Sequence, residues 1–239
     1  MTSRGDIGGL ADPDRGAFVS KLRELKRSGS SLLVVGNVPD SVARDACNCM
    51  LGDEAVADRR RLFVSTTPDG PILGDRLSTP PDPDRTSLVS WTAPSRSAAS
   101  SVPSEPSGDA IEPVRVERGQ LSELGIAIAR EIEAFEAATG GLSPAELRIC
   151  FDSLVPLSSA RDDAARFRFL HVLIGRIRSA QAMAHFHFPV AYDSERVRGL
   201  APLFDAVVEL RVADGRLQQR WHLREEGLSS GWLTPSVGD

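Results

Sequence analysis

The run Ser31-Leu32-Leu33-Val34-Val35-Gly36 constrains the fold more than any other stretch of the chain. Four consecutive large aliphatics leave no side for water, so the run reads as a strand covered on both faces, the signature of a parallel sheet between helical layers. Its neighbours agree with this. Residues 17–27 place Phe18, Leu22 and Leu25 at helical spacing, and after the turn Asn37-Val38-Pro39-Asp40 residues 41–51 form a second helix with Asp40 as its N-cap. Further strands are expected at 61–65, 86–91, 147–151 and 182–188, with helices at 120–138, 166–180 and 195–200. Leu121, Leu124, Ile128, Ile132 and Phe135 stripe the first of these helices, which stops at Thr139-Gly140-Gly141. Residues 204–212 and 216–223 flank Asp214-Gly215 as a hairpin. The fold class expected is therefore α/β: three layers, a mainly parallel sheet with helices on both faces, and a C-terminal antiparallel hairpin.

Composition bounds the rest. The 239 residues suit one domain, and no apolar run approaches the roughly 18 residues of a membrane span. Residues 1–16 read as a flexible, polar N-terminus without the apolar core of a secretory signal, so a cytoplasmic protein is expected, and residues 234–239 read as a tail. Three cysteines, Cys47, Cys49 and Cys150, are too few and odd in number for a disulfide framework. The net charge of -5 disfavours a broad nucleic-acid surface. Only Lys21 and Lys26 are lysines against 26 arginines, and 19 Asp exceed 14 Glu, a bias shared by GC-rich genomes and salt-adapted proteomes. The domain spans 17–233, interrupted at 93–113 by a Ser/Pro/Ala-rich stretch too poor in large apolar residues to offset its chain entropy, hence a disordered insert.

Four motifs carry chemistry. Gly36 opens a strand–loop–helix where a phosphate-binding loop would sit, yet the positions that would hold Gly, Lys and Ser/Thr are Ser41, Val42 and Ala43. Backbone curl, phosphate charge and the magnesium hydroxyl are all missing. Leu147 to Phe151 is a strand ending in Asp152-Ser153, where a carboxylate could hold magnesium through water or simply cap the following turn. His185 and His187 share one strand face within reach of a metal. No metal site is expected, because Cys47 and Cys49 point in different directions on a helix and further ligands do not suggest themselves; the histidines read as core residues. Arg166, Arg168, Arg176 and Arg178, with Arg196 and Arg198 beyond, read as a solvated helix face that could meet phosphates or a neighbour's carboxylates.

Taken in order, GSSLLVVGNVPDSVARDAC, RRLFVSTT, LRICFDSL, FRFLHVLIGRIRSA, AMAHFHFP and LFDAVVELRVADGRLQQRWHLRE resemble the core of the RecA/KaiC-like ATPase domain, and most of all its uncharacterised, degenerate branch common in haloarchaea. The resemblance covers residues 17–233 apart from the insert. Its most specific block is L-x-D-x-V-h-x-L-[KR], matched by Leu203, Asp205, Val207, Leu210 and Arg211. What it implies is a P-loop NTPase fold with a degenerate Walker A motif: the phosphate Lys and metal hydroxyl fall at Val42 and Ala43. Ser65-Thr66-Thr67-Pro68 stands where an acidic residue activates water, and Asp152 keeps the second Walker position.

The expectation is thus a pseudo-ATPase acting as a regulatory or scaffolding protein through protein contacts, as a homo-oligomer or with another protein, without membrane or nucleic acid. No catalytic residue and no resident cofactor are expected. Two rivals stand beside it: a weak magnesium-ATP binder or ATPase completed by a neighbouring subunit, with Gly36, Ser41, Val42, Ala43, Asp152 and Ser153 lining the degenerate site, and a DNA recombination or repair accessory protein.

Overall fold

The computed structural model describes residues 12–52, 59–67, 81–92, 111–117, 119–158, 163–224 and 227–235. In chain order the elements are α1 (Asp12–Ser28), β1 (Ser30–Val35), α2 (Asp40–Leu51), β2 (Arg60–Ser65), β3 (Thr86–Thr92) and β4 (Val114–Glu117). Then follow α3 (Leu121–Thr139), β5 (Leu147–Phe151), α4 (Val155–Ser158), α5 (Asp163–Ser179), β6 (Met183–Phe188) and α6 (Glu195–Leu200). A 3-10 turn, Ala201–Leu203, leads into β7 (Ala206–Ala213), β8 (Arg216–Leu223) and β9 (Leu228–Ser229).

The nine strands among the described residues join one sheet in the order β4-β3-β2-β5-β6-β1-β7-β8-β9. From β4 to β7 every neighbour is parallel, and β8 and β9 add antiparallel strands at the far edge. The α/β class, the central place of the apolar run as β1 and the Asp214-Gly215 hairpin are as expected.

Period-2 alternation divides the sheet into two faces. One face presents Leu33, Val35, Leu62, Val64, Ile149, Phe151, Ala184, Phe186 and Phe188 to Leu124, Ile128 and Ile132 of α3 and Leu170, Leu173 and Ile177 of α5. The two helices are locked side by side by a two-pronged ion pair, Arg176 to Glu136 at 3.1 and 2.6 Å. The other face presents Leu32, Val34, Ala206, Val208 and Leu210 to Phe18 and Leu25 of α1 and Ala46 of α2. Asp205 fixes β7 against β1: its carboxylate accepts from the Ser31 amide at 2.8 Å and from Arg178 at 2.7 Å, while its own amide donates to the Ser31 carbonyl at 3.0 Å.

Several boundaries differ from the sequence expectation. α1 begins at Asp12, inside the stretch read as a flexible N-terminus. Asp40 is the first residue of α2 rather than its cap, because Pro39 takes the N-cap place and makes no side-chain cap bond. β4 is an added strand, only four residues long and mostly exposed, so it lacks the apolar signal that marks the inner strands. Ile111, at the end of the stretch read as a disordered insert, packs against Phe63 and its neighbours; residues 93–110 of that stretch lie outside the described residues, as do 1–11 and 236–239. No helix among the described residues is long and apolar enough to cross a membrane.

Gly36 ends β1 with φ +124°, and a Cβ there would run into the Leu210 carbonyl oxygen of β7. Gly36→Ala should therefore cost roughly 2–4 kcal/mol from left-handed strain and overpacking together. Urea unfolding followed by circular dichroism measures it, and a variant within 0.5 kcal/mol of wild type would contradict the packing role, taking ~0.5 kcal/mol as the spread of neutral substitutions.

Candidate functional site

Two places gather polar chemistry. The first is the carboxyl edge of the parallel strands, where ligands bind in open α/β sheets. Asp152 stands there directly after β5, and Ser65-Thr66-Thr67 leaves β2 beside it. Its carboxylate is filled by that neighbouring turn. Oδ1 accepts from the Thr66 amide and from Thr66 Oγ1, both at 2.8 Å. Oδ2 accepts from Ser65 Oγ at 3.1 Å, Thr67 Oγ1 at 2.8 Å and the Thr67 amide at 3.5 Å. The Asp152 amide in turn donates to the Val64 carbonyl at 2.9 Å, so the strand ends are clamped by side chain and backbone alike. A carboxylate has about four lone-pair positions, and these five donors use them.

Ser153 is also engaged locally, its hydroxyl accepting from the Val155 amide at 3.2 Å at the start of α4. Gly36 donates its amide to the Val190 carbonyl at 2.9 Å. Ser41 is exposed, and Val42 and Ala43 are half-buried in the first turns of α2, with the Ala43 amide held by the Pro39 carbonyl at 3.0 Å. Of the residues expected to line a degenerate nucleotide site, Gly36, Asp152 and Ser153 thus serve packing, clamping and capping.

Arg168, Arg178, Arg196 and Arg198 are exposed, in keeping with a solvated face, and Arg166 and Arg176 are half-buried; most of the six also find a partner within the molecule. Arg176 and Arg178 hold Glu136 and Asp205, Arg166 meets Asp163 at 2.8 Å, and Arg198 donates to the Asp193 carbonyl at 2.7 Å. Arg196 lies over the Phe188 ring at 5.8 Å, and Arg168 is exposed.

The second place is the sheet face under α2. Cys150 of β5 is in register with His185 of β6, and His187 follows two residues later on the same face. α2 lays Cys47 over them. The Cys47 and Cys150 sulfurs are 3.0 Å apart, and His185 Nε2 is 3.2 Å from Cys47 Sγ. The His185 and His187 rings meet edge to face at 5.3 Å. One donor atom from each of the four side chains lies within 4.8 Å of all the others, and all four residues are buried. His187 Nε2 is buried without a hydrogen-bond partner. The contact with Cys47, together with burial, pushes the Cys150 thiol up to about 11, and burial holds His185 below its ordinary value, so both groups rest neutral.

α2 is also held at its C-terminus, one turn beyond Cys47. Its last turn contains no basic residue, and three arginines from elsewhere satisfy its final carbonyls: Arg148 reaches Met50, Arg59 reaches Leu51 and Arg61 reaches Gly52, at 3.4, 3.2 and 2.9 Å. Burial, with Arg59 nearby, lowers the Arg148 pKa to about 10, which still leaves it charged at neutral pH.

The histidine pair was visible in the sequence, but its cysteine partners were not. Cys49, two residues from Cys47, faces outward and takes no part. Cys150 supplies the contact instead, from 103 positions away, and only the β5–β6 register brings it there. A thiol titration should find one fast-reacting cysteine in the native protein, Cys49, and all three once the chain is unfolded with chelator present. Three fast thiols in the native state would contradict the burial of Cys47 and Cys150.

Comparison with curated proteins finds no match. The model of a family of unknown function, DUF7504, matches residues 29–210, from the start of β1 into β7, and so covers both places just described. The chain is a member of the DUF7504 family, a mainly parallel α/β protein.

Proposed function

We propose that the protein is a non-catalytic RecA/KaiC-like domain, a pseudo-ATPase that regulates or scaffolds through protein–protein contacts. The observation that carries this reading is the Asp152 carboxylate. In an active ATPase of that kind the equivalent group must be free to orient magnesium-bound water; here Ser65, Thr66 and Thr67 occupy both of its oxygens. Those same residues stand where the water-activating acid would be. The segment that lacks the catalytic carboxylate is thus the one that consumes the metal-orienting carboxylate.

The loop after β1 points the same way. It offers no lysine for phosphate charge and no hydroxyl for magnesium at the aligned positions Val42 and Ala43. A contact role finds support on the outer helices, where Phe167 and Val172 of α5 and Ile126 of α3 are exposed at 46%, 67% and 53%. Large apolar side chains at that exposure are candidates for a partner's surface.

Calorimetry of magnesium-ATP with the folded chain, at low and at molar salt, tests the reading. No binding heat is expected. Asp152→Ala should instead cost about 2–4 kcal/mol in unfolding free energy, since several donors lose a charged acceptor at once. Micromolar, magnesium-dependent binding that weakens in Asp152→Ala would replace the pseudo-ATPase with a working nucleotide site.

A further inference from the structure

The four donors beneath α2 have no part in the reading above, yet they form the densest set of metal-ligating side chains among the described residues. We infer that Cys47, Cys150, His185 and His187 bind one zinc-class divalent ion in a closed, four-coordinate site.

The first ground is geometric. Zinc–sulfur and zinc–nitrogen bonds of about 2.3 and 2.0 Å place the donors of one tetrahedral ion roughly 3.3–3.8 Å apart. In this protein the two sulfurs are 3.0 Å apart, His185 Nε2 and Cys47 Sγ are 3.2 Å apart, and no pair of the four donor atoms exceeds 4.8 Å. The separations need to change by no more than about 1.5 Å to receive the ion. The donors come from three elements, α2, β5 and β6, so the convergence is made by the tertiary fold and not by the spacing of one helix.

The second ground is independent of the distances. His187 is 8% exposed and its Nε2 has no hydrogen-bond partner. An orphaned buried ring nitrogen is costly, and a bond from Nε2 to a metal relieves it. The surroundings sharpen the point: on the same face Leu32, Val34 and Phe63 are buried apolar residues, and aliphatics would fill the space of two thiols and two imidazoles without orphaning any polar atom.

Donor chemistry selects the class of ion. Two sulfurs with two imidazole nitrogens in a tetrahedral array favour zinc over the hard, oxygen-seeking calcium and magnesium. With four protein ligands and no exposed donor, the site has no open position for substrate, so its role is structural. Binding releases the two thiol protons to solvent as the sulfurs become thiolates. The ion would bolt α2 to the centre of the sheet at Cys47, one turn before the arginine-capped C-terminus of the helix.

The test uses the full chain, refolded with zinc or cobalt and freed of excess metal. About one ion per chain is expected, with a thiolate-to-cobalt charge-transfer band, the intense visible bands of tetrahedral cobalt, and X-ray absorption reporting two sulfur and two nitrogen neighbours. Affinity should fall at least about a hundredfold in Cys150→Ser and in His187→Gln and stay unchanged in Cys49→Ser. Absence of bound metal in the folded wild type, coordination by nitrogen and oxygen alone, a Cys47–Cys150 disulfide in the isolated protein, or folded cluster variants with undiminished metal would each overturn the assignment. Should either cluster variant fail to fold, the wild-type cobalt spectrum and absorption edge decide the question by themselves.

Discussion

A parallel strand covered on both faces has no solvent side, so any polar group placed on it must be satisfied within the layers that bury it. β1 and β5 are buried along their whole length and β6 almost so. Several of their polar groups accordingly make long-range bonds, while Ser30 Oγ and His187 Nε2 are buried without a hydrogen-bond partner. The Ser31 amide on β1 donates to Asp205; Arg148 on β5 reaches Met50 and Met183; His185 on β6 meets Cys47 from α2. Each of these bonds fixes one element against another, and together they set where α2 lies and how β7 docks.

The same constraint reshapes the edge of the sheet that most resembles a nucleotide site. Gly36 is needed because β7 passes too close for a side chain, and Asp152 is needed because the end of β2 presents hydroxyls and amides that require an acceptor. Both residues therefore have sufficient reason in packing alone. A glycine after the first strand and an aspartate after a later one are compatible with catalysis, but neither requires it.

How much of this could be read from the chain depended on the range of the interaction. The apolar run of β1, the stripe of α3 and the Asp-Gly hairpin were legible because local periodicity and turn chemistry fix them. β4 was not, since a four-residue exposed strand carries no such period. The arginines of α5 were legible as solvent-facing, whereas the partners of Arg176 and Arg178, Glu136 and Asp205, were not, because they belong to other elements. The Cys/His cluster was half legible: His185 and His187 share a strand face by simple alternation, whereas Cys47 and Cys150 join them only through strand order and helix placement.

The two ends of the sheet differ from its interior in a way that bears on association. At one end β4 has four residues, with Arg115 and Glu117 exposed; at the other β9 has two. Short, charged edge strands are poor templates for pairing with another chain's backbone. Such edges disfavour extension of the sheet into a neighbour's. The helix surfaces differ from these edges in one respect: there a side chain can be altered one residue at a time without disturbing the ladder beneath.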